Sequence, residues 1–397
     1  MEVNLHFENV GIGDCLLLHL RDNGQEFIML IDCGKYNSKI KELFEETYKI
    51  TKLDKLVITH FDDDHIKGVI ELLKDSPELK IEDIWFNCFR HLPQGNEIEL
   101  TDFQKTKIEE LYSELGSRYK PVETDITAEQ SLSLSNILSK NTNWSSSWSD
   151  ERISVDNQKE FDLGQWGKIH LLSPTDNEIK ELENLYKLEF CKKLYDKADD
   201  FSSEQRNSIY ELLLRTFEDT DTEFPEEEYP ISSKQLLNKR AIEDYSKTVV
   251  KIDDNETNRS SIAFIWTLNN HKILFLGDST PDIVLKQIQL HKETNGITDS
   301  PLLFDAIKVS HHGSKRNITN ELLNEIDSEV YIFSGTSQKR PDEICISKII
   351  NRKLPQGIKE RKLYFNHKND IVKNFSDNIT IQKQLAFSII IDSKVEI

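Results

Sequence analysis

The sequence of 397 residues exceeds the usual size of one domain, so we expect either one large core with an insertion or two domains. Hydrophobic residues make up 37% and charged residues 30% of the chain, which excludes an intrinsically disordered protein. The formal net charge of -20 opposes binding to anionic membranes and to long nucleic-acid duplexes, except along a local basic path.

Two further features indicate the compartment. The N-terminus lacks a signal-peptide pattern, and no apolar run approaches the roughly 18 residues of a spanning helix. The five cysteines are odd in number and have no C-x-x-C spacing, which argues against a disulfide framework or a zinc ribbon. We therefore expect a cytoplasmic protein with reduced thiols and no membrane partner.

The first part of the chain predicts an alternation of strands and helices. Apolar alternation predicts strands at residues 3–7, 15–20 and 27–31, with a turn at 22–24. A helix is expected from 38 to about 48, a strand at 55–59 and a helix near 69–74. A strand at 84–87, a helix around 103–115, a polar loop with a short helix at 131–149 and a strand at 168–172 follow.

The pattern changes at residue 176. As far as residue 254 the sequence is helical and highly charged, and residues 218–228 form an acidic run that Pro225 interrupts. Strands resume at 262–266, 272–276, 306–310 and 330–334. We therefore expect one domain made of residues 1–175 and 255–397, with a helical, acidic insertion at 176–254.

A cluster of ionisable residues follows the strand at 55–59. His60, Asp62, Asp64 and His65 lie within six positions, and neighbouring carboxylates repel each other unless a cation lies between them. His60 and Asp62 can point the same way from extended backbone, whereas Asp64 and His65 diverge at the start of a helix. The segment can thus serve two neighbouring metal positions, although a helix N-terminus decorated with acidic residues is the alternative.

Distant residues of the same kinds repeat this placement. Asp278 and the pair His311 and His312 each come just after an apolar strand and are followed by small residues. Polar groups that do chemistry collect on loops at one edge of a sheet, so these strand ends can converge on the cluster. The sequence leaves open which histidine of the pair is a ligand.

Four motifs in this order resemble the metallo-β-lactamase superfamily, in the branch that includes the hydrolase domain of ComEC-type DNA-uptake proteins. They are LIDCG at 30–34, THFDDDHIKG at 59–68, GD at 277–278 and HHGS at 311–314, and the turn at 10–14 is also similar. The matches span residues 1–175 and 258–340. The resemblance implies an α/β fold, the αββα sandwich of the metallo-β-lactamases, with a mostly helical insertion.

The resemblance also implies a set of site residues. By position, the metal ligands are His60, Asp62, Asp64, His65, Asp278 and one of His311 and His312, and Asp32 is a supporting carboxylate. Asp62 stands where most of the superfamily has histidine, although the ComEC-type branch shows the same change. The middle histidine of the family is not evident, because Ser173 lies at about its position and His170 is the nearest candidate. One metal ion or two therefore remain open.

The residue types indicate the chemistry. Carboxylates and imidazoles without thiolates suit Zn²⁺, Mn²⁺ or iron, and Asp62 in place of an imidazole favours a harder ion such as Mn²⁺. A bound ion would lower the pKa of water toward ~7, and Asp62 or Asp64 could accept the proton. A phosphodiester would find donors and cations on the nearby loops. These candidate substrate-binding residues are Lys67, Ser314, Lys315, Arg316, Ser334 and Thr336.

The first hypothesis is a metal-dependent hydrolase, in particular a phosphodiesterase or nuclease that acts on nucleic acid or a nucleotide through a metal-bound hydroxide. The first alternative is hydrolysis of a non-phosphate bond. The second is a metal-stabilised partner subunit with little activity that contacts another protein through the insertion, as soluble members of this branch do in bacterial defence systems.

Overall fold

Two β-sheets form the centre of the computed structural model, which describes residues 1–91, 134–186, 211, 237–335 and 340–397. The first sheet has the strand order β16-β1-β2-β3-β5-β7, and two short strands, β4 and β6, pair beside it. These strands are β1 (Glu2–Phe7), β2 (Leu16–Asp22), β3 (Gln25–Ile31), β4 (Lys52–Leu53), β5 (Lys55–Val57), β6 (Lys80–Ile81), β7 (Ile84–Trp85) and β16 (Lys394–Glu396).

The second sheet has eight strands in the order β15-β14-β13-β12-β11-β10-β9-β8. Strands β11 to β15 are parallel, and β8 to β11 pair in the antiparallel sense. The strands are β8 (Glu160–Asp162), β9 (Lys168–Ser173), β10 (Ala263–Leu268), β11 (His271–Phe275), β12 (Leu302–Lys308), β13 (Ile326–Phe333), β14 (Arg361–Phe365) and β15 (Phe387–Ile391).

Helices flank both sheets. Those in the first half of the chain are α1 (Ser38–Glu42), which continues as a π-helical turn at Leu43–Thr47, α2 (Asp63–Asp75), α3 (Leu134–Lys140), α4 (Thr142–Ser145) and α5 (Asp176–Tyr186). Those in the second half are α6 (Lys239–Lys247), α7 (Glu256–Arg259), α8 (Pro281–Thr294), α9 (Asn320–Glu325), α10 (Glu343–Ile350), α11 (Asp370–Ser376) and α12 (Ile379–Leu385).

Three apolar cores define four layers. Between the sheets, alternate residues such as Leu5 and Leu18 of the first sheet pack with Phe264 and Phe275 of the second. The opposite face of each sheet carries the intervening residues and packs against helices, because side chains alternate between the two faces of a strand. The order helix, sheet, sheet, helix confirms the expected αββα sandwich.

The element boundaries differ from the prediction in informative places. Helix α2 begins at Asp63, whereas the sequence predicted a start near residue 69. The prediction was late because the first turn of the helix is acidic and apolar periodicity starts only at Ile66. The C-terminal strands β14, β15 and β16 were not assigned from the sequence. The expected helix at 103–115 and the acidic run at 218–228 lie outside the described residues, as does most of the expected insertion.

Two findings concern the cysteines and the helices. Among the four described cysteines, Cys15, Cys33, Cys88 and Cys345, there is no disulfide, and all four are buried. Within the same described ranges, no helix combines the length and the apolar character needed to cross a bilayer.

The topology brings many loops to one edge of the sandwich. Strands β3 and β5 are parallel and end at this edge, as do β11, β12 and β13 of the second sheet. Strand β9 ends here and β10 begins here, because each is antiparallel to its neighbour. The loops after these strands contain Asp32, His60, Asp278 and His312. The predicted convergence of strand ends is therefore present in the fold.

A buried ion pair joins β13 to β14. The guanidinium of Arg361 is fully buried and donates to both carboxylate oxygens of Asp327, at 3.1 and 2.6 Å. Arg352 and the hydroxyl of Tyr331 donate to the same carboxylate. Burial opposes ionisation of Asp327, but these arginines outweigh it and hold its pKa below the ordinary value. Removing Asp327 would leave the charge of Arg361 buried without its counter-ion, whereas removing Arg361 would leave Arg352 as the partner of Asp327.

We predict that Asp327→Ala lowers the free energy of unfolding by about 3–5 kcal/mol, because Arg361 would keep a buried charge without its partner. Urea unfolding measures the loss. The matched control is Glu329→Ala on the same strand, whose surface ion pair with Lys362 should contribute at most about 1 kcal/mol. Equal losses in the two variants would contradict the assignment of Asp327 as the buried counter-ion.

Candidate metal centre

Asp32 fixes the loop between β5 and α2. Its side chain is buried and accepts hydrogen bonds from the backbone amide of Thr59 at 2.7 Å and the hydroxyl of Thr59 at 2.6 Å. The same carboxylate lies 2.8 Å from Nδ1 of His65. One carboxylate therefore orients both ends of the cluster.

His60 and His65 present the same nitrogen to the same space. Nδ1 of His60 lies 2.9 Å from the hydroxyl of Thr59, and Nδ1 of His65 is held by Asp32. The two ring centroids are 4.1 Å apart. Nε2 of His60 lies 3.2 Å from a carboxylate oxygen of Asp62, and Nε2 of His65 lies 3.8 Å from Asp64. All four predicted cluster residues thus face one region.

Asp278 enters this region from the second sheet. Its backbone amide donates to the hydroxyl of Ser261 at 3.0 Å. Its Oδ2 atom lies 3.6 Å from Nε2 of His65, 3.6 Å from Nε2 of His312 and 3.7 Å from Nε2 of His311. Asp278 is therefore the residue around which the imidazoles gather.

The paired histidines follow β12 in a tight turn. Both have positive φ, 49° at His311 and 53° at His312, so the two rings leave the chain in different directions. Nδ1 of His312 lies 3.0 Å from the carbonyl oxygen of Ser334, and its Nε2 lies 3.4 Å from Asp64. Nδ1 of His311 instead lies 3.0 Å from the Asn317 amide oxygen. His312 is thus the member of the pair that joins the Asp64 and His65 group.

Sequence reasoning gave no role to two buried charges beneath the centre. Lys308 is 1% exposed, and its ammonium forms a close ion pair with Asp14 and lies 3.7 Å from Oδ1 of Asp278. It also donates to the carbonyl oxygen of Gly277 at 3.1 Å. A lysine inside an apolar strand, three residues before the histidine pair, was the signal that could have revealed it. Lys308 supplies a fixed positive charge behind the carboxylate of Asp278.

Three loops approach one another so closely that two of their positions require glycine. A Cβ atom at Gly13 would lie 1.6 Å from the carbonyl oxygen of Asp64, and a Cβ atom at Gly34 would lie 1.9 Å from the same oxygen. Only glycine leaves room for the backbone of Asp64 between these two loops.

The carboxylates dominate the electrostatics. Burial by itself would lower the pKa of His312, but Asp278 and Asp14 outweigh it and raise the pKa to about 9. The pKa of His65 is likewise raised well above its ordinary value, because Asp64, Asp278 and Asp32 outweigh the effect of burial. The centre therefore attracts positive charge strongly.

The donor set fits a cation. Nε2 of His60, of His65 and of His312 are buried and have no hydrogen-bond partner among the described residues. Each ring donates or accepts through Nδ1 instead, which is the arrangement that second-sphere groups impose on metal-ligating histidines. Within the described ranges, four groups have ligand atoms within 4.8 Å of one another, and two of them contain two histidines each: His60, His65 and Asp278, and Asp64, His65 and His312.

The predicted substrate-binding residues are placed less uniformly. Lys67 is exposed on α2, whereas Ser314 and Ser334 are buried and do not present their hydroxyls to solvent. Ser334 donates its hydroxyl to Asp14. Arg316 pairs with Asp254 at 2.7 Å. The backbone amide of Lys315 donates to Asp342 at 2.8 Å, and Thr336 lies outside the described residues.

The structure also separates the two candidates for the middle histidine. Ser173 ends β9 at the edge that carries the centre, and its hydroxyl donates to the carbonyl oxygen of Arg259 at 3.4 Å. His170 lies three residues earlier and contacts His291 of α8. His170 belongs to none of the metal-ligand groups found in the described part of the chain.

Comparison with known proteins gives one family match. The family model described as Metallo-beta-lactamase superfamily matches residues 9–82. This range includes Asp32 and the cluster from His60 to His65, and it ends before Asp278. No curated protein matches the chain.

Solved structures give only distant likenesses. The first is a mutant of the CmlA β-hydroxylase, with 12% identity and a TM-score of 0.36 over 100% of this chain and 53% of that one, so the chain spans about half its length. The second is the metallo-β-lactamase fold protein YhfI from Bacillus subtilis, with 9% identity and a TM-score of 0.36 over 100% of this chain and 99% of that one.

The family match and the four layers together give the chain the metallo-β-lactamase fold. Members of that superfamily are usually metallo-hydrolases, so the coarse class of activity that the match suggests is metal-dependent hydrolysis.

We predict that Lys308→Met lowers the free energy of unfolding by about 3–5 kcal/mol in metal-free buffer, because Asp14 would remain buried without its counter-ion. The double variant Lys308→Met/Asp14→Asn should recover a substantial part of the loss, which urea unfolding of the two single variants and the double variant measures. A double variant no more stable than Lys308→Met would show that packing, and not charge, determines the effect.

Proposed function

We propose that the chain is a metal-dependent phosphodiesterase or nuclease that acts on nucleic acid or a nucleotide. The observation that carries the proposal is the convergence on the carboxylate of Asp278 of three buried imidazole nitrogens that have no hydrogen-bond partner in the described part of the chain. Leaving such atoms buried without a partner costs free energy, and a divalent cation removes that cost.

The residues divide into two groups of candidate ligands. Asp64, His65 and His312 form the first group, and Asp278 lies beside it. His60 lies on the other side of His65 and forms a second group with His65 and Asp278, and Asp62 lies beside His60. His311 also directs Nε2 toward Asp278, so it remains a further candidate. We propose one or two ions of Zn²⁺ or Mn²⁺, since carboxylates and imidazoles suit both.

A divalent cation held here would polarise a phosphoryl oxygen and activate water near neutral pH. The protein's own groups supply the remaining functions. Asp62 and Asp64 are the partly exposed carboxylates of the centre, with 17% and 31% of their side chains accessible, so either can take a proton from water that enters. Asp32 keeps Nδ1 of His65 engaged, which leaves its Nε2 directed inward.

The phosphodiester is favoured over other bonds by cations on the same edge. Lys67 follows His65 by two residues on α2, is exposed and has no ion-pair partner among the described residues. Lys315 follows the histidine pair closely. With a net charge of -20, the protein as a whole repels a long duplex, so we propose a short or single-stranded substrate.

The domain division is part of the proposal. Residues 1–175 and 255–397 would form the hydrolase domain and residues 176–254 an insertion. Asp253, near the end of that insertion, lies 3.2 Å from Nδ1 of His311, and Arg316 pairs with Asp254. The C-terminal end of the proposed insertion therefore contacts residues of the candidate site.

We predict that Asp64→Ala/His65→Ala lowers Mn²⁺-dependent cleavage of bis-p-nitrophenyl phosphate and of single-stranded DNA by about 100-fold or more, because it removes ligands and a proton acceptor. The matched control is Asp63→Ala, an exposed carboxylate of the same helical turn that belongs to neither ligand group. It should retain the rate of the unmodified protein.

Two outcomes would contradict the proposal. Equal rates for the unmodified protein and the double variant would remove the centre from the reaction. If the protein binds Mn²⁺ at this centre but cleaves neither substrate, the bond that it hydrolyses is not a phosphodiester.

We predict that cation affinity increases with pH between about pH 6 and about pH 8. The pKa of His312 is raised to about 9, so this ring is protonated at neutral pH without a cation, and the pKa of His65 is raised as well; binding must therefore displace protons. The affinity for Mn²⁺ should increase about tenfold per pH unit for each proton displaced. Calorimetric titration in buffers of different ionisation enthalpy counts the protons. An affinity independent of pH would contradict binding through these rings.

A further inference from the structure

A second pair of histidines lies outside the candidate centre. His170 belongs to β9 and His291 to the last turn of α8, and their ring centroids are 4.2 Å apart at an interplanar angle of 61°. Residue 291 follows the start of α8 by ten residues, which corresponds to about 15 Å along the helix. The pair therefore lies well away from Asp278, which precedes that helix.

Glu160 fixes the form of the His170 ring. Nδ1 of His170 lies 3.4 Å from a carboxylate oxygen of Glu160, on the strand opposite. A carboxylate can only accept from a neutral imidazole, so Nδ1 carries the hydrogen and Nε2 keeps its lone pair. This carboxylate, histidine and open nitrogen arrangement is the one that second-sphere groups give to metal ligands.

The open nitrogen has no use within the described protein. His170 is only 8% exposed, and its Nε2 atom is buried without a hydrogen-bond partner among the described residues. Burying an acceptor without a donor costs free energy, so a ligand that binds this atom would be favourable. Burial also lowers the pKa of His170, which keeps the ring neutral.

His291 offers the second donor. Burial, with His170 and Lys272 nearby, lowers its pKa to about 4, so it is neutral at pH 7. The side-chain amide of Asn295 lies 3.4 Å from Nδ1 of His291, but it donates a shorter hydrogen bond, of 2.8 Å, to the backbone carbonyl oxygen of His291. The ring of His291 is therefore weakly held and can turn toward an ion shared with His170.

We propose that His170 and His291 form a second binding site for a borderline divalent ion such as Zn²⁺, with Glu160 supporting His170 and water completing the coordination. Two neutral imidazoles are donors that Zn²⁺ prefers. The ion would connect β9 to the last turn of α8, so binding would stabilise the folded state by mass action. The site has a structural effect and is independent of the proposed hydrolysis.

The test is a Zn²⁺ titration of the full-length, metal-stripped protein, followed by equilibrium dialysis with metal analysis and by thermal unfolding. His170→Gln/His291→Gln should bind one Zn²⁺ fewer than the unmodified protein and lose part of the Zn²⁺-dependent increase in Tm. Glu160→Ala changes an exposed side chain and should weaken this Zn²⁺ by about tenfold or more. The matched control is His271→Gln on β11, which should retain the full stoichiometry.

Equal stoichiometry in the histidine double variant and the unmodified protein would overturn the site. So would a loss of Zn²⁺ in His271→Gln equal to that in the double variant. Asp64→Ala/His65→Ala separates this result from the proposed function, since it should lose the ions of the candidate centre and keep the ion at His170. If the protein hydrolyses neither substrate, the difference in bound Zn²⁺ between the unmodified protein and the histidine double variant is still expected.

Discussion

The burial of several carboxylates at one edge of the sandwich is the constraint on which the rest of the site depends. Asp14, Asp32 and Asp278 are each at most 2% exposed, and they approach the same imidazoles. Carboxylates removed from water in this way require compensating positive charge. Lys308 supplies one permanent charge, and the histidines supply exchangeable positions that take either protons or a metal ion.

This requirement involves both sheets. His60, Asp64 and His65 follow a strand of the first sheet, whereas Asp278 and His312 follow strands of the second. The apolar core between the sheets fixes the distance between the two groups.

The strand ends and the convergence of the motifs could be predicted from apolar periodicity and from residues placed after strands, and the four layers from the resemblance to a known family. It could not rank His311 against His312, since that choice depends on two successive left-handed residues and on partners such as Ser334 and Asp253. Lys308 was hidden because a lysine in a strand is ordinarily exposed, and only the three-dimensional position of Asp14 explains its burial. At Ser173 the opposite is true. The position predicted for the middle histidine lies at the correct edge of the sandwich, but its side chain is not an imidazole or a carboxylate that would suit a cation.

The pairing of β16 with β1 has a consequence for how the molecule acquires its structure. Val395 lies opposite Leu5, so the outer strand of the first sheet joins segments separated by nearly the whole length of the chain. Contacts between such distant segments are costly in chain entropy and form late. During synthesis the hydrophobic edge of β1 stays unpaired until β16 has left the ribosome, and in that interval it is exposed to pairing with other chains.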